Sequence, residues 1–414
     1  MSGFVIEPKP AVHFGVGAVG KLPGIVRGIG ADHVVVVTDA ALAVSPVLTQ
    51  VLDILLDSGL PCHVFSGVHA NPTTDDLAAG AAVVAGAAGV AAAAEAAAAV
   101  AATLKASAPA APVTPASGGI ALVALGGGSP IDAAKGIALA AVNPERGRAL
   151  DYRGTFARPA LPLVAVPTTA GTGAETNAFG VVTDVQAARK FYVGHASTLP
   201  AAAILDPDLT LGLPPAGTAA TGMDALTHAL ESYLSRRANP WADGIALQVM
   251  RMVSAHLARA VADGADREAR SQMLLAAHLA GAAMASTGLG LCHAIGHSLG
   301  ARFGIAHGVA LSLVLPQVLR FNLAACEERL ADVAFALGAG DTARDPAGNA
   351  AAAIDAITGL QDRLGLTRRP SDFGIVAGDF AQISADALDD EVLASTPRMP
   401  TSADITAILA ATLG

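Results

Sequence analysis

One stretch restricts the fold more than any other: "IALVALGGGSPIDAAKGIALAAV", residues 120–142. Its first six residues, Ile120–Leu125, are uniformly apolar, bounded by glycine, and read as a buried strand. Three glycines follow, and they admit a backbone path that side chains would obstruct. Ser129 suits a helix N-cap and Pro130 the first helical position, while Asp132 completes a capping-box-like pattern. A strand running through glycines into a helix leaves N–H groups where an anion such as a pyrophosphate can sit. A merely tight turn would not need three glycines in a row.

The surrounding sequence repeats this alternation. "HVVVVTD" (His33–Asp39) is a buried strand followed by a helix over Leu42–Ser58, and "CHVFSGV" is another strand. Threonines and aspartates in "ANPTTDDL" cap a helix beginning near Asp75, and "LPLVAVP" (Leu161–Pro167) is a further strand. Strands alternating with helices mean an α/β domain with a mainly parallel sheet. From about Thr210 the pattern becomes long and helix-periodic, which predicts an all-helical second domain. The expected division is 1–208 and 209–414. An alanine-rich segment running into a Pro/Ala/Ser linker, about 80–118, interrupts the first domain as an insertion without chemistry.

A second glycine motif competes for the phosphate. "FGVGAVG" holds a literal G-x-G-x-x-G at Gly15, Gly17 and Gly20, with Asp39 nineteen residues beyond. The prolines of "EPKPAVHF" leave hardly four residues for a strand before it, and Pro23 with further glycines makes a poor dinucleotide helix after it. Those glycines fit a turn into the first helix, and the pyrophosphate belongs to Gly127, Gly128 and Ser129. Asp39 keeps its interest because it ends a strand. Just past another strand end, Thr168, Thr169 and Thr172 in "VPTTAGTGAE" could offer hydroxyls to a ribose or phosphate, or simply satisfy the loop backbone.

Composition excludes several classes. A net charge of -10 disfavours a nucleic-acid backbone as partner. The 3 cysteines, Cys62, Cys292 and Cys326, are odd in number and far apart, giving neither a disulfide framework nor a cysteine zinc cluster. "MSGFVIEPKP" shows no basic region leading into an apolar core, so the expectation is a cytoplasmic chain. Leu77–Ala94 is uncharged, but its alanine and glycine lack the drive for membrane insertion.

The helical half carries the sharpest chemistry. "GMDALTHALE" places Asp224 and His228 four residues apart, on one helix face. "GLCHAIGHSLGARFGIAHG" places His293 and His297 at the same spacing, with His307 further on. Carboxylate oxygen with imidazole nitrogens suits a divalent transition metal such as Fe(II) or Zn(II). His256 and His278 lack such neighbours in sequence and read as ordinary residues. A nucleotide domain joined to a metal domain points to hydride transfer, with the metal polarising an alcohol or carbonyl oxygen.

In this order, "GGGSPIDAAK", "PTTAGTGAE", "GMDALTHALE" and "GLCHAIGHSLGARFGIAHG" resemble the iron-containing (group III) alcohol dehydrogenases. The resemblance runs from "FGVGAVG" to "STPRMPT" and implies a dehydroquinate-synthase-like fold. It implies an NAD(P)-dependent alcohol dehydrogenase or aldehyde reductase acting on a small primary alcohol, diol or aldehyde, as a homodimer. By motif, the metal ligands would be Asp224, His228, His293 and His307, with Fe(II) preferred and Zn(II) second. His297 matches a non-ligand histidine, a candidate proton relay. Gly127, Gly128 and Ser129 would cradle pyrophosphate, Thr168, Thr169 and Thr172 would meet the nicotinamide half, and Asn71 the adenosine half. Lys190 matches a lysine near the ribose, and Asp39 an acid that favours NAD over NADP. Phe179 and Met284 are candidates for apolar pocket lining.

Two departures stand out: Ala174 where the family often has serine, and the long alanine-rich insertion. Maleylacetate reductases are a close rival of the same fold, as is a hydroxy-acid dehydrogenase, while glycerol dehydrogenases match the histidine motif less closely. A non-catalytic nucleotide-binding assembly protein is the reading of another class, and a full ligand set argues against it.

Overall fold

A computed structural model describes residues 6, 10–105, 119–186 and 189–413; the Pro/Ala/Ser linker expected at 107–118 lies outside them. The chain forms two compact units, one of Lys9–Thr168 with Ala174–Leu209, the other holding Thr169–Gly173 and Thr210–Gly414.

In the first unit, β1 (Ala11–Phe14) enters a parallel sheet and leads through a glycine turn into α1 (Leu22–Gly28). The four residues of β1 form an edge strand, paired among the described residues with β8 (Ala202–Leu205). Gly15 and Gly17 take positive φ in the turn, and the buried Asp206 carboxylate accepts the Val19 N–H at 3.1 Å. The "FGVGAVG" stretch is thus a turn pinned to the end of β8.

The sheet continues with β2 (Ala31–Asp39), whose valines 34–37 are all fully buried. Each such side chain is worth roughly 1.5–3 kcal/mol relative to exposure. The helix expected over Leu42–Ser58 is broken into α2 (Ala40–Ala43) and α3 (Pro46–Asp57), because Pro46 starts a new helix after Ser45. Next come β3 (Cys62–Val68), α4 (Thr74–Lys105), β4 (Gly119–Gly126), α5 (Gly128–Ala140) and β5 (Leu163–Pro167). Thr73 and Asp76 exchange side-chain and backbone hydrogen bonds at the start of α4, a reciprocal cap. A separate antiparallel hairpin, β6 (Phe179–Asp184) with β7 (Arg189–Gly194), precedes β8.

Sheet order is β1-β8-β5-β4-β2-β3, with every pairing parallel. From β2 the chain moves outward to β3, and from β4 it moves the other way to β5. The direction reverses between β2 and β4, and ligands of open α/β sheets sit at such a point. Asp39 ends one of these two strands and Gly126 the other.

Among the described residues, the second unit contains no strand. It comprises α6 (Pro215–Leu234), α7 (Pro240–Ala262), α8 (Arg267–Thr287), α9 (Leu291–Phe303), α10 (His307–Ala336), α11 (Pro346–Arg363), α12 (Phe380–Asp389) and α13 (Ser402–Leu413). By length and composition α10 could cross a membrane, but it packs against α6, α9, α11 and α13 and is a core helix here. Its path bends at Cys326, which leaves helical geometry. The short loop Thr169–Gly173 is embedded in this unit. A Cβ on Gly171 would stand 2.6 Å from the Thr221 carbonyl, and one on Gly173 2.6 Å from Gly281 Cα, so only glycines allow the approach.

Candidate metal centre and nucleotide site

One helix, α6, supplies a stripe of three functional side chains. Asp224, His228 and Glu231 fall at i, i+4 and i+7, on a single face. The Asp224 Oδ1 atom is met by three imidazole nitrogens: His228 Nε2 at 3.3 Å, His293 Nε2 at 3.6 Å and His307 Nε2 at 3.5 Å. Tetrahedral ligation at bond lengths near 2.1 Å puts donor atoms about 3.4 Å apart, so this spacing fits a single cation. Asp224 and His293 are almost wholly buried, yet Asp224 Oδ1 and His293 Nε2 have no hydrogen-bond partner. Two orphaned polar atoms aimed at one point are costly unless something sits there. The donor set, one carboxylate oxygen and three imidazoles, suits Fe(II) or Zn(II).

Each of these side chains has a structural reason to be where it is. His228 and His293 stack at 4.8 Å between ring centroids. His307 opens α10, and Gly308 beside it lies so close to α6 that a Cβ would stand 1.9 Å from the Ala220 carbonyl oxygen. His293 lies near the start of α9, whose N-cap Gly290 has no side chain to offer. Glu231 fills that gap. It accepts the Gly290 N–H at 2.9 Å, the Cys292 N–H at 2.7 Å and the His293 Nδ1 proton at 2.6 Å. This carboxylate both caps α9 and fixes His293 with Nε2 directed at Asp224.

The electrostatics follow from burial and these pairings. Burial presses the Asp224 carboxyl upward, but the surrounding histidines, His228 foremost, more than reverse it and hold it below its usual range. Burial drives His228 down to about 4. His293 is also penalised by burial, yet Glu231 and Asp224 bring it up to about 9. Burial likewise raises Glu231, and the charge and hydrogen bond of His293 overcome it.

His297, one turn beyond His293, makes a different bond: its Nδ1 lies 2.7 Å from Asp390 Oδ2. Its ring stacks on His307 at 5.6 Å. Neither Glu231 nor Asp390 was among the candidates read from sequence. Glu231 had a signal, the continuing stripe of "GMDALTHALE"; Asp390 had none.

At the sheet's carboxyl edge, Gly127 is the N-cap of α5 and carries no side-chain cap. Ser129 does not take that role as expected. Its hydroxyl donates to the Ala70 carbonyl at 2.6 Å, and Asp132 turns away to accept the Val181 N–H at 2.9 Å. The uncapped N–H groups of a 13-residue helix are a fitting anion site. The Thr168 N–H donates to the Gly126 carbonyl at 2.9 Å, so β5 closes against the glycine loop. Asn71 and Lys190, distant in sequence, meet at 3.1 Å. Asp39 ends β2 and spends Oδ1 on the Ala41 and Leu42 N–H groups, both at 2.9 Å. Thr169 and Thr172 belong to the loop embedded in the helical unit. Phe179 begins β6 with its ring edge-on to Tyr192, and Met284 is buried in α8.

A further residue that the sequence did not single out is Lys135, fully buried on α5. Its Nζ donates to the Ala174 carbonyl at 2.6 Å, to Asn177 Oδ1 at 3.0 Å and to the Phe179 carbonyl at 2.5 Å. It thereby ties α5 to the segment leading into β6.

Comparison with known proteins agrees with this chemistry. A family profile described as iron-containing alcohol dehydrogenase matches residues 9–93 and 102–207, and its C-terminal counterpart matches 218–413. The chain belongs to the iron-containing alcohol dehydrogenase family. Within this family it is 34% identical over 411 residues to an NAD-dependent methanol dehydrogenase of Bacillus methanolicus, covering 99% of each chain. It is 35% identical over 399 residues to a 1,3-propanediol dehydrogenase of Klebsiella pneumoniae, covering 95% of each. A crystal structure of a 1,3-propanediol oxidoreductase superposes with a TM-score of 0.88 at 34% identity, covering 99% of this chain and all of the other. The chain is an oxidoreductase of this alcohol dehydrogenase type, with the α/β and helical architecture its members share.

Proposed function

We propose that this enzyme interconverts a small primary alcohol or diol and its aldehyde, using NAD and one divalent metal, Fe(II) before Zn(II). The observation that carries this reading is the ring of three imidazole nitrogens around the orphaned Asp224 oxygen. Bound there, a divalent cation supplies charge stabilisation for the substrate oxygen, and NAD supplies the hydride acceptor.

The chain's own residues do the rest. Asp224, His228, His293 and His307 hold the cation, and Glu231 keeps His293 in the ligating tautomer. Gly127, Gly128 and Ser129 bind pyrophosphate through the N-terminus of α5, with Asn71 and Lys190 toward the adenosine ribose. Thr168, Thr169 and Thr172 orient the nicotinamide half, and Phe179 and Met284 each offer apolar surface to the substrate. Asp39 retains Oδ2 for a ribose 2′-hydroxyl, and its charge repels a 2′-phosphate, which favours NAD. His297 takes the alcohol proton during oxidation and returns it during reduction. We further infer a cytoplasmic homodimer.

Metal content measured with and without chelator, alongside NADH oxidation over a panel of aldehydes, tests the reading. Stoichiometric metal and chelator-sensitive turnover of a short aldehyde are expected. A purified protein that binds no divalent metal and oxidises NADH with no aldehyde would refute it.

A further inference from the structure

The segment following α12 is shaped around His297. Asp390 Oδ1 accepts the Val392 N–H at 3.1 Å, opening the short turn Glu391–Ser395, while Oδ2 receives His297 Nδ1. That turn is clamped at its far end. The Ser395 carbonyl accepts the Arg236 N–H at 2.9 Å, and Ser395 Oγ occupies the space a Cβ on Gly288 would need. One helical turn before Asp390, Asp386 receives Ser298 Oγ at 2.8 Å and the Arg302 guanidinium. The Arg302 guanidinium is therefore engaged by Asp386, and of the two carboxylates Asp390 is the one that holds the imidazole. His297 keeps 19% of its side chain exposed, unlike the buried ligand His293 at 1%.

We propose that Asp390 is the positioning residue for His297, fixing Nδ1 as the protonated nitrogen and leaving Nε2 as the acceptor for the substrate proton. This rests on the relay role proposed for His297. In alcohol oxidation the substrate O–H bond breaks as an Nε2–H bond forms, while hydride leaves carbon for the nicotinamide. The imidazolium, facing the Asp390 carboxylate, then releases the Nε2 proton to water. Net change is alcohol and NAD⁺ to aldehyde, NADH and one proton.

The test compares His297→Ala, Asp390→Ala, Asp390→Asn and Asp390→Glu as metal-loaded enzymes, using the best substrate of the aldehyde panel. Asp390→Ala is expected to lower kcat by about 10- to 1000-fold, with KM within about twofold and metal content unchanged. Asp390→Glu restores much of the rate. Asp390→Asn stays slow, because its amide can donate to Nδ1 and move the imidazole proton to Nε2. Long-range nitrogen–proton NMR of the imidazoles should show the Nδ1–H tautomer of His297 lost in the alanine variant. If Asp390→Ala fails to fold, the near-isosteric Asn variant carries the same comparison. A slow His297→Ala beside a fully active Asp390→Ala overturns the Asp390 assignment alone. A fully active His297→Ala overturns the relay reading itself, and loss of metal in the Asp390 variants would make it a support of the ligand shell instead.

Discussion

Replacing Glu231 by glutamine removes one charge and exchanges one oxygen for an NH₂, at a carboxylate whose two oxygens are both already engaged. Oε2 serves two donors, Gly290 N–H and His293 Nδ1, while Oε1 serves Cys292 N–H. If the amide oxygen takes the Oε2 place, its NH₂ faces the Cys292 N–H, donor against donor. Turned over, the NH₂ faces Gly290 N–H and His293 Nδ1, and the histidine can accept only by moving its proton to Nε2. That nitrogen is the one directed at Asp224. Either orientation strands a buried N–H, a cost of about 1–3 kcal/mol. Loss of such a supporting bond typically weakens metal binding by about 10- to 100-fold, or about 1.4–2.7 kcal/mol, which agrees in size. Competition with a chromophoric chelator, read separately for Fe(II) and Zn(II), measures the affinity, and circular dichroism checks that α9 remains folded. Wild-type affinity in a folded Glu231→Gln protein would refute the reasoning, because His293 would then owe its tautomer to something else.

Other consequences rest on single side chains. Burial lowers Lys135 from its usual 10.5 to about 8, against the pull of Asp132. The unfolded chain then binds the extra proton between these values, so stability rises with pH through that window, by about 3 kcal/mol in all. Denaturant midpoints at pH 7.5 and 10 should show this rise in wild type and not in Lys135→Met; equal slopes would exclude Lys135 as its source. Gly308→Ala forces a Cβ to within 1.9 Å of the Ala220 carbonyl oxygen. It should cost at least about 1–3 kcal/mol and shift His307, so a lower Tm with metal below one equivalent is expected, and unchanged values would show that α10 can move freely. Asp39→Gly should raise kcat/KM with NADPH relative to NADH while costing only a few tenths of a kcal/mol as a cap; an unchanged preference would remove Asp39 from the ribose site.

Legibility of this protein in its sequence varied with the range of the interactions involved. Asp224 with His228, and His293 with His297, repeat at the pitch of a helix, so local geometry alone grouped them. Deciding which histidines turn toward Asp224 needed the fold, because His307 arrives from the start of another helix. Glu231 continued a visible stripe, whereas Asp390 meets His297 across 93 residues in a stretch with no periodicity. Strands β1 and β8 have only four residues each, too short for alternation to register. The hairpin β6–β7 did carry a β-branched and aromatic pattern in "FGVVTD" and "RKFYVG", a signal that could have been used. Ser129 had every local mark of an N-cap, and lost the role because the Ala70 carbonyl, fifty-nine residues away, drew its hydroxyl.

The loop Thr169–Gly173 has a consequence for how the chain is made. It leaves the ribosome with the sheet strands, yet the surfaces that hold it, Thr221 and Gly281, lie on α6 and α8 and are synthesised later. Domains tend to fold N-terminal first during synthesis, but here the earlier unit carries a segment with nowhere to dock until the helices exist. Cutting the gene near residue 209 would therefore yield not two self-sufficient halves but a helical half lacking its five-residue plug. Co-expressing the halves, with residues 169–173 either kept in the first or replaced there by a flexible linker and appended to the second, would show on which side of the break the plug must travel.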